Sequence, residues 1–310
     1  MSRDPRSQDT SGSLGVEDFA RLFGTSVEAL PEACRAMIAG GDFRYRVLAG
    51  EERDQVLLEV LKRIDSGEFT TAGKEGRGRW EKGWAENLEG FRKSGCDLSQ
   101  LVPKYIRPQQ ALRLDQQYVM PLDPNFELKW FEIFQRWLFT TYFSEAKAVY
   151  EFGCGSCINL AALATLYPDK RYVGLDWAVE STEIVDEMAQ AYGWNMKGQQ
   201  FDFFHPDKSV KIDEGSTVFT VGALEQTGQN HEAFLEYLLD MSPGLCVNIE
   251  PIVEWYDENQ LVDYAAIRFH KVRRYWEGFP SRLKKLEREG RVEIIKMKRS
   301  YFGSLYLEGY

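Results

Sequence analysis

The sequence has no apolar run that approaches the ~20 residues a membrane-spanning helix needs, so we expect no transmembrane segment. Residues 1–14 are polar and contain no apolar stretch of the kind that makes a secretory signal. We therefore expect residues 1–15 to form a disordered tail and the protein to be cytoplasmic.

Cysteine and histidine are scarce: the chain has three histidines and five cysteines, which are Cys34, Cys96, Cys154, Cys157 and Cys246. An odd number of cysteines at irregular spacing is not a disulfide framework, and it favours a reducing compartment. Cys154 and Cys157 form a Cys-x-x-Cys pair. No other cysteine or histidine has the spacing that would complete a four-ligand zinc site, so we predict no metal. A redox pair stays open at this point.

Positive charge is in deficit, with 38 Lys and Arg against 48 Asp and Glu and a formal net charge of −10. Nucleic-acid binders usually carry a basic face, so we expect no nucleic-acid partner and no membrane partner. The acidic balance is compatible with a cationic substrate, and equally with solubility alone. The 44% hydrophobic and 28% charged content is ordinary for a globular protein, and 310 residues suffice for two domains.

The first part of the chain is helical in pattern. Apolar residues recur with helical spacing over 51–64, 80–91 and 126–143, while 73–79 is rich in glycine and charge and is predicted to be a loop. Residues 115–124 contain two prolines and are predicted to be extended. We predict a helical N-terminal domain over residues 16–123 that acts as a lid or forms a homodimer through its helices.

From residue 148 onward, short apolar runs alternate with helical stretches. Strands are predicted at 148–152, 171–176, 197–203, 216–221, 245–250 and 291–299. Helices are predicted at 158–166, 181–192, 231–241, 264–275 and 279–289. Such alternation is typical of an α/β fold with a doubly wound, mostly parallel sheet, and we assign it to a second domain over residues 124–310.

Three strand ends carry residues suited to a nucleotide-like ligand. The first strand ends in Glu151-Phe-Gly-Cys-Gly-Ser, where Gly153 and Gly155 allow a tight turn and a close approach of the backbone to a ligand. The second ends in Asp176-Trp177, which places an acid where ribose hydroxyls can donate to it. The third ends in Asp202-Phe203, a carboxylate and a ring that suit an adenine.

These motifs, in this order, resemble the class I S-adenosylmethionine-dependent methyltransferases, and the resemblance covers roughly residue 126 to the C-terminus. It implies a Rossmann-like fold, S-adenosyl-L-methionine as cofactor and S-adenosyl-L-homocysteine as product. The implied cofactor-binding residues are Glu151, Gly153, Cys154, Gly155, Asp176, Trp177, Asp202, Phe203 and Gly222. The N-terminal region often covers the cofactor in this family, so Arg107 or Arg113 is placed to hold a carboxylate.

The main competitor is a nicotinamide-binding Rossmann domain. That fold expects a third glycine facing the pyrophosphate, whereas this chain has Cys157 and then Ile158 after Gly155-Ser156. Cys157 also replaces the commoner methyltransferase glycine, so the Cys-x-x-Cys pair is better explained as part of a cofactor loop. The family's sheet normally ends in an antiparallel hairpin, and residues 301–310 are short for its last strand.

The acceptor is expected after the fourth and fifth strands. Glu225 and Glu250 stand directly at these strand ends and are the candidate catalytic residues. Substrate-binding candidates near them are Asn248, Glu254, Trp255, Tyr256 and His270. Carboxylates with aromatic rings suit a planar guanidinium, by bidentate pairing and cation–π attraction. This is similar in kind to arginine methyltransferases and to bacterial free-arginine N-methyltransferases of natural-product pathways.

The favoured hypothesis is therefore methyl transfer to a guanidinium nitrogen of free L-arginine, or of a close analogue, in specialised metabolite biosynthesis. The first alternative is an O-methyltransferase acting on a sugar or another small hydroxyl compound, with His270 or a glutamate as base. The second is a cofactor-binding scaffold without catalysis. For both enzyme hypotheses the expected partner is a small-molecule acceptor.

Overall fold

The computed structural model describes residues 11–309. Within this range the α-helices α1–α10 are Val16–Phe23, Glu32–Gly40, Gly50–Asp65, Arg77–Lys93, Phe126–Tyr142, Ile158–Leu166, Val179–Tyr192, Glu232–Met241, Leu261–Arg273 and Phe279–Arg288. The strands β1–β10 are Ser11–Ser13, Arg44–Val47, Leu112–Leu114, Gln117–Pro121, Ala148–Phe152, Arg171–Asp176, Met196–Gln200, Thr217–Val221, Leu245–Ile249 and Phe302–Gly303.

Five strands form a parallel sheet in the order β7-β6-β5-β8-β9. The doubly wound α/β prediction is confirmed: α5, α6 and α7 cover one face with one hydrophobic core, and α8 and α10 cover the other with a second. β5 is buried along its whole length, as expected for a central strand with both faces covered. The strand order reverses at β5, which brings the carboxyl ends of β5, β6 and β8 to one crevice.

A second, antiparallel sheet has the order β1-β2-β4-β3-β10 and was not predicted. Its strands are two to five residues long, and all its pairings except the β3–β4 hairpin join segments far apart in sequence, so the strands leave no periodic signal. β1 pairs with β2, which corrects the predicted tail from Ser11 onward, while residues 1–10 lie outside the described range. β10 pairs with β3, so the end of the predicted second domain belongs to this sheet.

The predicted strand over 291–299 is wrong, because this segment makes no ladder with either sheet. Polar side chains fix it instead. Lys296 Nζ donates to the carbonyls of Phe23 and Gly24, at 2.9 and 2.8 Å. Arg299 pairs with Asp263 at 2.7 Å and with Glu308 at 2.6 Å.

The N-terminal helices pack onto the parallel-sheet unit. On α5, Trp130 and Phe134 contact Phe23 of α1. Arg92 of α4 pairs with Glu183 and Glu187 of α7, at 2.9 and 2.5 Å. These contacts hold α4 over the crevice at the end of β5. Between residues 11 and 309, no helix is both long enough and apolar enough to cross a membrane.

Candidate functional site

A cavity of about 530 Å³ lies at the carboxyl ends of β5, β6 and β8, within the size range of small-molecule sites. One end is formed by the loops that follow these strands. The other end is formed by α3, α4, the loop before β3, α9 and the C-terminal segment 304–309. Residues from both ends of the chain therefore complete a site that the parallel sheet begins.

The turn after β5 requires its glycines. Gly153 has a φ of +73°, and a Cβ there would lie 2.4 Å from the Cβ of Ala223. Gly155 has a φ of +53°, and a Cβ there would lie 2.8 Å from the ring of Trp84 on α4. Side chains are excluded at both positions, so the backbone itself forms this part of the cavity wall.

Glu151 is buried on the cavity wall and lacks one hydrogen bond. Its Oε1 accepts from Asn159 Nδ2 at 2.7 Å, and Asn159 Oδ1 in turn accepts from Gln135 at 2.7 Å. Its Oε2 has no partner among the described residues. Burial raises the pKa of Glu151 well above its usual range, and nearby Asp176 adds to the rise. A cationic ligand group would satisfy this oxygen and ionise the carboxyl.

Asp176, at the end of β6, is held by the glycine turn. One of its oxygens accepts from the backbone N–H of Gly155 and the other from that of Ala178, each at 2.9 Å. Burial raises the pKa of Asp176 to about 6. Beside it the rings of Trp177 and Phe204 are nearly parallel, with centroids 6.4 Å apart, and Phe203 also lines the wall.

Glu225 lies in the 3₁₀ segment Leu224–Asn230 after β8 and lines the cavity. Its Oε1 accepts from Gln226 Nε2 at 2.7 Å, while its buried Oε2 has no partner in the described part of the chain. Gln226 is a junction: its Nε2 also donates to the Tyr275 hydroxyl at 3.1 Å, and its Oε1 accepts from Trp80 Nε1 at 3.4 Å. Gln226 thus connects the helix over the cavity to Glu225.

The predicted pair of acceptor glutamates is not assembled in this cavity. Glu250 accepts from the backbone N–H groups of Ala223 and Glu225, at 3.1 and 3.3 Å, and borders a second cavity beside β9. Burial and the neighbouring Glu225 raise the pKa of Glu250 well above its usual range. Glu254 accepts from the backbone N–H of Gly278 instead of facing the cavity. The guanidinium clamp is therefore corrected to a single carboxylate, Glu225.

The other residues expected around the acceptor also lie elsewhere. Asn248 accepts from the Thr220 hydroxyl at 3.1 Å, between β8 and β9, and Trp255 accepts from Arg299 through its carbonyl. The Tyr256 ring lies against the guanidinium groups of Arg113 and Arg299. These three residues were predicted to lie near the acceptor because they are close to the end of β9 in sequence. The loop after β9 turns away from the cavity, so the prediction is wrong for all three.

His270 is buried within α9 and does not line the cavity. Its ring packs against Tyr256 and Tyr275, with centroids 6.1 and 5.3 Å away. Burial lowers the pKa of His270 to about 3, so the ring is neutral. His270 is therefore corrected from a substrate-binding candidate to a core residue.

Two predicted cofactor ligands are also misplaced. Arg113 is fully buried, pairs with Asp263 at 2.8 Å and Glu308 at 3.5 Å, and does not line the cavity. Asp202 accepts from the backbone N–H of Phe204 at 2.8 Å, so its side chain turns into its own loop. Arg113 is therefore paired with carboxylates from distant parts of the chain, and Asp202 with a backbone N–H of its own loop, instead of with a ligand.

The remaining predicted cofactor residues are brought together. Glu151, Gly153, Cys154, Gly155, Asp176, Trp177, Phe203 and Gly222 all line the cavity. Cys157 is fully buried with a φ of +64°, and its Sγ lies 3.7 Å from that of Cys154. Over residues 11–309, no group of three or more His, Cys, Asp or Glu is arranged to hold a metal ion.

The opposite end of the cavity was largely missed from the sequence. Its basic side chains are Arg63, Arg79, Arg107 and Arg273, and its aromatic side chains include Phe69, Tyr105, Phe269, Tyr275 and Tyr306. Trp80 and Trp84 of α4 stack on each other and also line the cavity. Two features of the sequence could have indicated this basic end: Arg107 and the run of basic residues before Trp80.

The chain is similar to several solved structures. Human N-acetylserotonin methyltransferase in complex with SAM matches at 14% identity, over 93% of this chain and 84% of that chain, with a TM-score of 0.42. Coclaurine N-methyltransferase bound to N-methylheliamine and SAH matches at 15% identity, over 62% and 56%, with a TM-score of 0.37. A protein from work on thioacetal formation in echinomycin biosynthesis matches at 20% identity, over 33% and 41%, with a TM-score of 0.29.

The chain thus spans about half the length of the latter two proteins. No protein-family model matches the chain, and no curated protein matches it. Identities of 20% or less with TM-scores below 0.5 assign no activity, so only the geometry of the cavity bears on the function.

Proposed function

We propose that the protein is an S-adenosylmethionine-dependent methyltransferase that acts on a small molecule. The observation that carries this proposal is the buried, unpartnered Oε2 of Glu151 beside a turn that excludes side chains at Gly153 and Gly155. An ammonium group would satisfy Glu151, and the turn admits a ligand close to the backbone. A dinucleotide pyrophosphate, in contrast, would place negative charge against this buried carboxyl.

The other residues of this end fit the rest of the cofactor. Asp176, Trp177, Phe203 and Phe204 line this end of the cavity; in this proposal Asp176 accepts from ribose hydroxyls and the rings pack against the adenine. When bound, S-adenosylmethionine supplies an electrophilic methyl group on a sulfonium. No metal is needed for such a transfer, because the reaction is an in-line displacement that depends on alignment.

Glu225 is the residue that we assign to the acceptor. Glu225 lines the same cavity, and its Oε2, which has no hydrogen-bond partner among the described residues, can accept a hydrogen bond from an N–H or O–H group of a ligand. Accepting that bond orients the nucleophile and holds its proton as charge develops. The stacked rings of Trp80 and Trp84 and residues of the C-terminal segment 304–309 also line the cavity, so apolar surface surrounds part of the site.

Free L-arginine and a small hydroxyl compound both remain candidate acceptors, and both depend on Glu225. The guanidinium hypothesis loses its second carboxylate, because Glu250 and Glu254 bind backbone N–H groups. The hydroxyl hypothesis loses His270, which is buried away from the cavity. The two acceptors are therefore to be compared directly by experiment.

Isothermal titration with S-adenosylhomocysteine tests the proposal. We expect saturable binding of S-adenosylhomocysteine and none of a nicotinamide dinucleotide. Absence of S-adenosylhomocysteine binding would overturn the proposal. Incubation of the protein and S-adenosylmethionine with free L-arginine or with a panel of small amines and hydroxyl compounds, read by mass spectrometry, then identifies the acceptor. Binding without methylation of any compound would favour the scaffold alternative.

A further inference from the structure

One end of the cavity carries positive charge that no protein carboxylate neutralises. We call Arg63, Arg79, Arg107 and Arg273 the arginine cluster; all line the cavity, and they come from α3, α4, the loop before β3 and α9. Within residues 11–309, none of them forms an ion pair with a carboxylate. The other charged groups that line the cavity are the acids Glu151, Asp176 and Glu225, and Glu225 is connected to Arg273 through Gln226.

Arg273 is the buried member of the cluster, with 2% of its surface exposed. Among the described residues, its guanidinium donates only to neutral oxygens: the hydroxyls of Tyr275 and Thr70, at 3.1 and 3.0 Å, and Gln226 Oε1 at 3.5 Å. A buried charge is ordinarily paired, because an uncompensated one loses its hydration with nothing in return. A ligand anion would supply the missing partner.

The charges of the cluster act on one another. The pKa of Arg79 is lowered by burial and, further, by the positive charges of Arg273, Arg107 and Arg63. An arginine remains protonated despite such a shift, so the repulsion persists in the unliganded protein. Mutual repulsion of this kind is relieved by a bound anion, which each guanidinium can contact through a pair of N–H groups.

An independent observation comes from Tyr306, which lines the same end. Its hydroxyl is buried and has no hydrogen-bond partner among the described residues. The guanidinium of Arg63 lies 5.8 Å from the centre of its ring. Burial raises the pKa of Tyr306, so the hydroxyl stays protonated and can donate to an anion.

The surroundings of the cluster are apolar and flat. The rings of Phe269 and Tyr306 stack with centroids 4.8 Å apart, and Phe69 meets both edge-on. Such walls suit a planar apolar group, which would bury its faces while its charged end reaches the guanidinium groups.

We propose that the arginine cluster and Tyr306 bind a carboxylate or phosphate group of the acceptor, whose body is flat and apolar. The assignment of this group to the acceptor rests on the proposed function, whereas the anion site itself is inferred from the arginine cluster and Tyr306. The carboxylate of the cofactor is the other source of the same chemistry. The acids at the far end, Glu151 and Asp176, would repel an anion and so direct it to the cluster.

Titration with benzoate and with its neutral analogue benzamide tests the site, with and without saturating S-adenosylhomocysteine; inorganic phosphate is a third probe. We expect benzoate to bind at least about 10-fold more tightly than benzamide. Arg79→Gln should weaken benzoate binding by about 10- to 100-fold and leave benzamide and S-adenosylhomocysteine unchanged. Equal affinity for benzoate and benzamide in the wild-type protein would overturn the proposal.

Arg79 is chosen because its side chain makes no hydrogen bond to any residue between 11 and 309 and lies 6.0 Å from the centre of the Trp80 ring. Its removal relieves repulsion within the cluster, so Arg79→Gln should unfold at an equal or higher temperature. Arg273→Lys keeps the charge without the bidentate geometry and should recover only part of the benzoate affinity. Arg268→Gln is the matched control, because Arg268 lies on the same helix as Arg273 but pairs with Asp65 at the surface. It should leave benzoate binding unchanged.

Two cofactor analogues distinguish an anion that belongs to the acceptor from the carboxylate of the cofactor. If Arg79→Gln weakens S-adenosylhomocysteine but not 5′-methylthioadenosine, which lacks the carboxylate, the cluster holds the cofactor and the proposal is overturned. If wild-type protein distinguishes benzoate from benzamide but binds no S-adenosylhomocysteine, the anion site stands and the methyltransferase proposal fails.

Discussion

The two ends of the cavity differ in charge and in construction. The acidic end consists of Glu151, Asp176 and Glu225, each at or just after the end of a parallel strand. The basic end is the arginine cluster, gathered from helices and loops that lie between Arg63 and Arg273 in the chain. The comparison shows how one cavity is assembled: a sheet fixes the first end, and peripheral segments add the second. A variant that affects one end and spares the other tests this division.

The largest effect is expected from Glu225→Gln. Loss of the oxygen that orients the acceptor and holds its proton should lower kcat by about 10²- to 10⁴-fold, with unchanged S-adenosylhomocysteine affinity. Turnover is measured by mass spectrometry and affinity by titration. Glu250→Gln is the paired control, because Glu250 accepts from the backbone N–H groups of Ala223 and Glu225 beside the second cavity, so this change should lower kcat much less. Turnover that survives Glu225→Gln would remove Glu225 from the mechanism.

A second test separates the two acids predicted to bind the cofactor. Asp176→Asn should weaken S-adenosylhomocysteine binding by about 100-fold, because hydrogen bonds from the ribose to a charged oxygen are lost. Asp202→Asn should change the affinity by less than about 3-fold, since Asp202 accepts from Phe204 within its own loop. Equal losses in the two variants would show that Asp202 reaches the ligand after all.

The pH dependence of binding provides a third test. The pKa of Asp176 is raised to about 6, so the unliganded carboxyl takes up a proton below that pH. Ribose hydroxyls need an acceptor, so S-adenosylhomocysteine affinity should fall as pH decreases through about 6, by up to tenfold per unit. The raised pKa of Glu151 acts in the same direction. Affinity that is flat from pH 5 to 7 would contradict the ribose assignment.

The smallest effect is expected where the two ends meet. Gln226 donates to Glu225 and accepts from Trp80 and Arg273. Gln226→Leu removes these hydrogen bonds, one of them long at 3.5 Å, and should weaken both benzoate and S-adenosylhomocysteine by about 2- to 10-fold. Affinities measured for each ligand with and without the other would show whether the two ends are coupled through this side chain. A loss confined to one ligand would show that they are not.

The sequence predicted the parallel sheet well because each buried strand carries its own local signal. The predictions at 158–166 and 171–176 match α6 and β6 to the residue. The antiparallel sheet escaped prediction because β3 and β10 are short and pair across almost two hundred residues. For such strands the pairing partner, and not the local pattern, determines the structure.

The same distinction applies to the site. The backbone conformation at positions 153 and 155 requires glycine, so the role of these residues could be predicted from the local sequence. The direction of a side chain could not be predicted from the local sequence. Arg113 and Glu250 were each predicted to bind a ligand, but both bind protein groups instead. Those partners come from distant parts of the chain or from the backbone of a neighbouring loop. The arginine cluster was missed for a related reason, since its members share no sequence motif.

The tryptophans of the cavity wall have a practical consequence. Of eight tryptophans in the chain, Trp80, Trp84 and Trp177 line the cavity. Trp177 stands at the acidic end, and the ring of Trp84 covers Gly155. A ligand that enters changes the polarity around these indoles, so the protein carries its own optical reporter. Replacing Trp177 by phenylalanine would show which part of the change in intrinsic fluorescence comes from the acidic end.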